Sequence, residues 1–166
     1  GKVIGGGIGI GCIVGPNEIM RMLDPTMKSQ DQYAQGSGTF TGNPLATSAG
    51  LAALEELEKP DTYDRLHQMG ARLRDGLQQA CQRLEVPALV SNEGPTVDVM
   101  FTDRREVLDY RASLSRDQEL HGRVGIEIVK RGILSPGTSF FISTVHTEEE
   151  IDETVDVFEA ALRSSR

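Results

Sequence analysis

Seven of the first fifteen residues are glycine, and most of the others are apolar: Gly1-Lys2-Val3-Ile4-Gly5-Gly6-Gly7-Ile8-Gly9-Ile10-Gly11-Cys12-Ile13-Val14-Gly15. Apolar residues alternating with glycine suit buried strands joined by a tight turn, at a place where another backbone approaches closely. Strands are therefore expected within residues 2–15. Two phosphate-loop patterns fail here. A GxGxxG read from Gly9 and Gly11 would require glycine at Val14, and a Walker loop would require its lysine after the glycines, whereas Lys2 precedes them. On its own the run reads as tight packing. Lys2 adds a second possibility: a lysine entering an apolar site has its charged form disfavoured, and a neutral amine is a nucleophile toward aldehydes. The plainer alternative for that residue is a solvated lysine at a chain end.

The rest of the chain carries clearer local signals. Pro16 opens a short helix over 17–23, which Asp24-Pro25 ends. Residues 26–42 read as a polar, glycine-rich loop containing Gly38-Thr39-Phe40-Thr41-Gly42. Asn43-Pro44 is a strong helix start, Asn as cap and Pro in the first turn. That helix extends to about Glu58 and carries small residues (Ala46, Ala49, Gly50, Ala52, Ala53) suited to close packing. After Pro60, Leu66, Met69, Leu73, Leu77, Ala80 and Leu84 repeat at spacings of three and four, which predicts an amphipathic helix over about 61–84. Strands are predicted at 88–91 and 96–102 around a turn at 92–95, then helices at 104–111 and 118–131. Gly132 is placed to end the second in a left-handed cap. Ile133-Leu134 and 140–144 are short strand candidates. Thr147-Glu148-Glu149-Glu150 is a capping box, opening a helix with Ile151, Val155, Phe158 and Leu162 on one face. These elements divide the chain at the proline and charge cluster near residue 59, into regions 1–59 and 60–166.

Charge and cysteine usage exclude several functions. Seventeen Lys plus Arg against 25 Asp plus Glu leave a net charge of -8. That balance argues against partners with anionic backbones or headgroups, so no nucleic acid and no membrane surface is expected. No apolar run approaches the roughly 20 residues that cross a bilayer. Cys12 and Cys81 form no CxxC pair and are expected as small apolar packing residues, which suits a reducing, cytoplasmic setting. No metal-ligand spacing links His67, His121 or His146 to partners, so no metal is expected. The opening residues have no charged region before an apolar one, so they are not expected to be a signal peptide. The absence of any polar lead-in makes sequence upstream an expectation.

One further segment bears on chemistry. In Gly38-Thr39-Phe40-Thr41-Gly42-Asn43-Pro44 the glycines free the backbone, the hydroxyls and amides can donate, and Asn43 caps a helix whose amino end favours negative charge. A phosphate contact is reasonable there, and a capped helix after a loop is the plainer reading.

Taken together, Gly1-Lys2-Val3-Ile4-Gly5-Gly6-Gly7, then Gly38-Thr39-Phe40-Thr41-Gly42-Asn43-Pro44-Leu45-Ala46, then Arg131-Gly132-Ile133-Leu134 with His146-Thr147-Glu148-Glu149-Glu150, resemble the class III pyridoxal-phosphate aminotransferases, nearest the glutamate-1-semialdehyde 2,1-aminomutase branch. The resemblance implies an α/β and α+β chain, the C-terminal part of a fold type I transferase. Residues 1–59 would be the tail of the large cofactor domain and 60–166 the small α+β domain. It implies pyridoxal 5′-phosphate as cofactor, with Lys2 forming the Schiff base and moving protons. Gly38 and Thr39 would reach the cofactor phosphate of the neighbouring subunit, hence a homodimer with shared active sites. The substrate would be a small amino acid or amino aldehyde, and the activity that of a transaminase or aminomutase. The carboxylate for the pyridine nitrogen, the main phosphate loop and the stacking aromatic are not recognisable here, so the chain alone is expected to be a catalytically incomplete fragment. Thr138 stands where the aminomutases carry a glutamate, which favours an amine transaminase. The alternative is a phosphate-binding or dimerising remnant without catalysis.

Overall fold

The computed structural model describes residues 3–30, 33–36 and 38–166. The chain forms two compact units, Gly1–Lys59 and Pro60–Arg166.

In the first unit the glycine run turns instead of pairing. Gly6 N donates to Val3 O at 3.0 Å and Ile8 N to Gly5 O at 2.9 Å. Gly5 is buried, and a Cβ there would stand 1.8 Å from Ile8 O, so this turn admits only glycine. The strands expected within 2–15 do not form among the described residues, and Ile13 and Val14 are 79% and 85% exposed. A strand needs a neighbour for its N–H and C=O groups and a core for its side chains. The described part of this unit supplies neither. Helix α1 is shorter than expected, Asn17–Met20, and tightens into a 3-10 turn over Arg21–Leu23. A second 3-10 segment, Pro25–Gln30, replaces part of the expected loop. Asp24 starts it, its Oδ1 accepting from Thr26 N at 2.9 Å and Thr26 Oγ1 at 2.8 Å.

Helix α2 runs Pro44–Leu57 behind the Asn43 cap, as the sequence predicts. Its buried residues are Ala46 and Gly50. A Cβ on Gly50 would lie 3.1 Å from Ile4 O, so the small side of α2 rests on the glycine turn. Leu45, Leu51 and Leu54 are exposed. Cys12 is exposed too, which corrects its reading as a packing residue, while Cys81 is fully buried and its thiol is pushed up to about 12 by that burial.

The second unit has its own core. It contains α3 (Thr62–Arg83), β1 (Ala88–Glu93), β2 (Thr96–Phe101), α4 (Tyr110–Ser113), α5 (Gln118–Lys130), β3 (Ser139–Phe141) and α6 (Glu148–Ser164). The sheet is antiparallel, ordered β1-β2-β3, with Val90 opposite Val99 and Val97 opposite Phe140. The whole predicted stripe of α3, from Leu66 to Leu84, is buried. It packs with Val97, Val99, Phe101, Val124, Ile128, Ile151, Phe158 and Leu162. Period 3.6 on α3 and α6 and period 2 on β2 thus converge on one interior.

Glycine sets two close approaches. A Cβ on Gly70 of α3 would stand 2.0 Å from Gly94 O, so the hairpin turn lies directly on the helix. A Cβ on Gly76 would meet Val155 of α6 at 2.5 Å. Exposed charges tie the same helices: the Arg72 guanidinium forks onto Asp152 at 2.8 and 2.7 Å and reaches Glu148 at 2.7 Å. The caps hold as read. Glu150 N donates to Thr147 Oγ1 at 3.2 Å, and Thr147 N to Glu150 Oε2 at 2.8 Å. Gly132, at φ +96°, closes α5: its N–H reaches Val129 O while Ile133 N reaches Ile128 O, a Schellman pair.

Three expectations fail in this unit. Residues 104–109 are irregular, and only Tyr110–Ser113 is helical, because Asp109 caps that turn by accepting from Ala112 N at 2.7 Å. Ile133-Leu134 is not a strand: the α5 cap turns it outward and Leu134 is 93% exposed. β3 spans three residues, since Ile142 N bonds the turn carbonyl of Pro95 and the chain then bends toward α6.

Candidate functional site

The two glycine motifs of the first unit meet in one place. Gly9, Ile10 and Gly11 line a cleft of about 440 Å³ with residues 38–43, Ala46 and Thr47. Both described candidates, Gly38 and Thr39, therefore sit together on its wall. Lys2 lies outside the described residues.

The loop is built from two successive turns. Thr41 N donates to Gly38 O at 2.9 Å, and Asn43 N to Phe40 O at 3.1 Å. Gly42 sits at φ +67°, a conformation that lets the second turn run into the helix. A Cβ on Gly38 would lie 3.2 Å from Thr41 Oγ1, so the bare glycine keeps that hydroxyl's space open.

A donor census separates loop from helix. Pro44 has no N–H, and Leu45 N and Ala46 N donate to Asn43 Oδ1 at 3.0 and 3.2 Å. Thr47 N takes the first intrahelical bond, to Asn43 O at 3.0 Å. The helix end thus has no amide left for a ligand, contrary to what the bare cap signal suggests. It offers its dipole only. The amides of Thr39, Phe40 and Gly42 and the hydroxyls of Thr39 and Thr41 have no partner among the described residues. Among the described residues no carboxylate lines the cleft. Five open donors around a glycine-lined hollow beside a positive helix end suit an anion, and a phosphate monoester fits this donor set.

Sequence reasoning had named Gly38 and Thr39 but had given Gly9 and Gly11 no partner. Their convergence depends on the turn at residues 3–8, and the signal for that turn was the unbroken triplet Gly5-Gly6-Gly7. His146 Nδ1 accepts from Ser143 N at 2.9 Å, and among the described residues no group of side chains could hold a metal. No described helix is long and apolar enough to cross a membrane.

Comparison with known proteins agrees with the motifs. The family model described as aminotransferase class-III matches residues 1–162. This chain belongs to the class III aminotransferases. It is 34% identical over 168 residues to glutamate-1-semialdehyde 2,1-aminomutase 2 of Brevibacillus brevis, covering 99% of this chain and 38% of the relative. Among solved structures it is similar to an omega-transaminase from Sphaerobacter thermophilus, with a TM-score of 0.88 and 35% identity, over 100% of this chain and 38% of that one. A transaminase with PLP bound follows with a TM-score of 0.79 and 26% identity, over 99% of this chain and 37% of that one. The chain thus spans little more than a third of the length of these proteins. The mixed fold, helices around a small antiparallel sheet, is the part of a fold type I transferase that the sequence motifs implied.

Proposed function

We propose that this chain is the C-terminal part of a pyridoxal 5′-phosphate-dependent enzyme of amino-group transfer. Residues 1–59 act as the tail of the cofactor domain and 60–166 as the small domain. The observation that supports the reading is the cleft in which the Gly9–Gly11 backbone and the Thr39–Gly42 donors converge, with no acidic side chain among its described lining residues. Gly38 and Thr39 hold the cofactor phosphate, with the Phe40 and Gly42 amides completing the donor set. In the assembled enzyme this loop serves the phosphate of the neighbouring subunit, making the protein a homodimer with shared sites, located in the cytoplasm. Lys2, immediately before the glycine turn, is the covalent anchor, and its amine, once released, moves the proton at the substrate carbon. The bound coenzyme supplies the electron sink for that chemistry.

Between transaminase and aminomutase, Thr138 supports the former. Its side chain is fully buried and donates to Val99 O at 2.7 Å, so the position occupied by a carboxylate in the aminomutases is a neutral internal clamp here. The substrate class remains the small amino acid or amino aldehyde that the motifs imply.

The test is reduction of the full-length protein with borohydride, followed by peptide mass mapping. The coenzyme mass is expected on the peptide containing Lys2, and abolished by Lys2→Ala. Coenzyme fixed to any other lysine would overturn the assignment.

A further inference from the structure

His121 of α5 faces the turn Ser135–Gly137 in the second unit. Its Nδ1 lies 2.9 Å from Thr138 Oγ1, and that oxygen lies 2.7 Å from Val99 O. A hydroxyl has one proton, and a carbonyl can only accept, so Thr138 donates to Val99. His121 must then donate through Nδ1, which leaves the lone pair of the neutral ring on Nε2. Burial first, and the Arg116 charge second, lower the ring below its ordinary 6.5 against the opposing pull of Asp98. The imidazole is neutral at pH 7. Nε2 stands beside Gly137, where a Cβ would approach it to 2.8 Å, and it has no hydrogen-bond partner among the described residues.

A cleft of about 400 Å³ opens at this point, walled by Gly122, Gly125, Ile126 and Val129 of α5 and by Ser135 and Gly137. Ile126 and Val129 are 59% and 47% exposed, and a Cβ on Gly122 would meet nothing within 4 Å. The other polar side chains on the cleft are used: Lys130 pairs with Glu127 at 2.9 Å, and the Ser135 hydroxyl donates to Gly137 O at 2.9 Å. Among the described side chains lining this mostly apolar hollow, His121 Nε2 is the polar atom of the cleft left with no partner and a fixed lone pair. No carboxylate stands among the described residues lining this cleft to hold a cation, and the ring lone pair repels an anion that approaches it. We propose that this cleft is a binding site for a small, neutral, mainly apolar molecule carrying one hydroxyl donor, a phenol or comparable alcohol, held by its O–H on His121 Nε2.

Phenol and toluene, equal in shape apart from the hydroxyl, test this on the whole chain. Titration followed by the methyl signals of Ile126 and Val129 should give saturable shifts with phenol, and affinity about fivefold or more above that of toluene. Nitrogen-15 spectra of the imidazole should show Nδ1 protonated and Nε2 bare. His121→Phe should bring the two affinities together, and Gly122→Leu should abolish both. Equal binding of phenol and toluene by the wild type, non-saturating shifts, or a proton on Nε2 would each overturn the proposal. The wild-type measurements decide it even if His121→Phe fails to fold.

Discussion

Replacing Thr138 by Val removes a hydroxyl and almost nothing else. The side chain is fully buried, and its Oγ1 links β2 to α5 by donating to Val99 O at 2.7 Å and accepting from His121 Nδ1 at 2.9 Å. Val99 N still donates to Thr138 O at 3.1 Å in the variant, so the backbone contact survives. The Val99 carbonyl loses a partner inside the core, at about 1–3 kcal/mol. His121 is half-buried and recovers part of its bond from water, so its loss adds roughly 0.5 kcal/mol. The sum is about 1.5–3.5 kcal/mol for the second unit. For a unit of this size that lowers the melting midpoint by about 10 °C. Circular dichroism at increasing temperature measures it, with Thr138→Ser as the control that keeps the hydroxyl and gives back most of the loss. A Thr138→Val midpoint within about 2 °C of wild type would show that the hydroxyl is not donated into the sheet, and would remove the basis for the His121 tautomer.

Other perturbations have equally definite outcomes. Gly70→Ala places a methyl 2.0 Å from Gly94 O and must push the hairpin turn off α3; a loss of about 1–3 kcal/mol in urea unfolding is expected, and a neutral result would mean the turn is not seated there. Thr147→Ala deletes one half of the α6 capping box and should cost about 1 kcal/mol, read in the same unfolding experiment, with Thr147→Ser nearly silent. The pH dependence follows from His121. Because its folded value lies below 6.5, the unfolded chain takes up the proton first, so stability is full above about pH 6.5 and declines as pH falls below it. His121→Gln should flatten the unfolding midpoint between pH 7.5 and 5.5; an unchanged slope would place the titration elsewhere.

What could be read from the sequence was what depends on neighbours a few residues apart. The α3 stripe from Leu66 to Leu84, the Asn43 and Thr147 caps and the Gly132 stop are all fixed by spacings of one turn, and all stand in the structure. The glycine run misled because its alternation describes a strand in company, whereas the described part of the first unit offers no ladder partner, and Gly5–Gly7 settle into turns. Residues 104–111 carry enough apolar and basic residues to look helical, but the Asp109 side chain starts the helix late. In the site, Gly38 and Thr39 were nameable from their motif. That the helix amides are consumed while the loop amides stay open was not, because it rests on which of two competing acceptors, the Asn43 side chain or a ligand, satisfies Leu45 and Ala46. His121 and Thr138 are 17 residues apart, with no periodicity to connect them, and only the fold brings them together.

The Asn43 cap also limits how this loop can change over time. Any replacement lacking the side-chain oxygen would loosen the start of α2 and, in the same stroke, uncover two N–H groups at the rim of the hollow. Tighter grip on an anion and a sturdier helix are therefore opposing ends of one trait at this position, and drift toward either is held in check by the other.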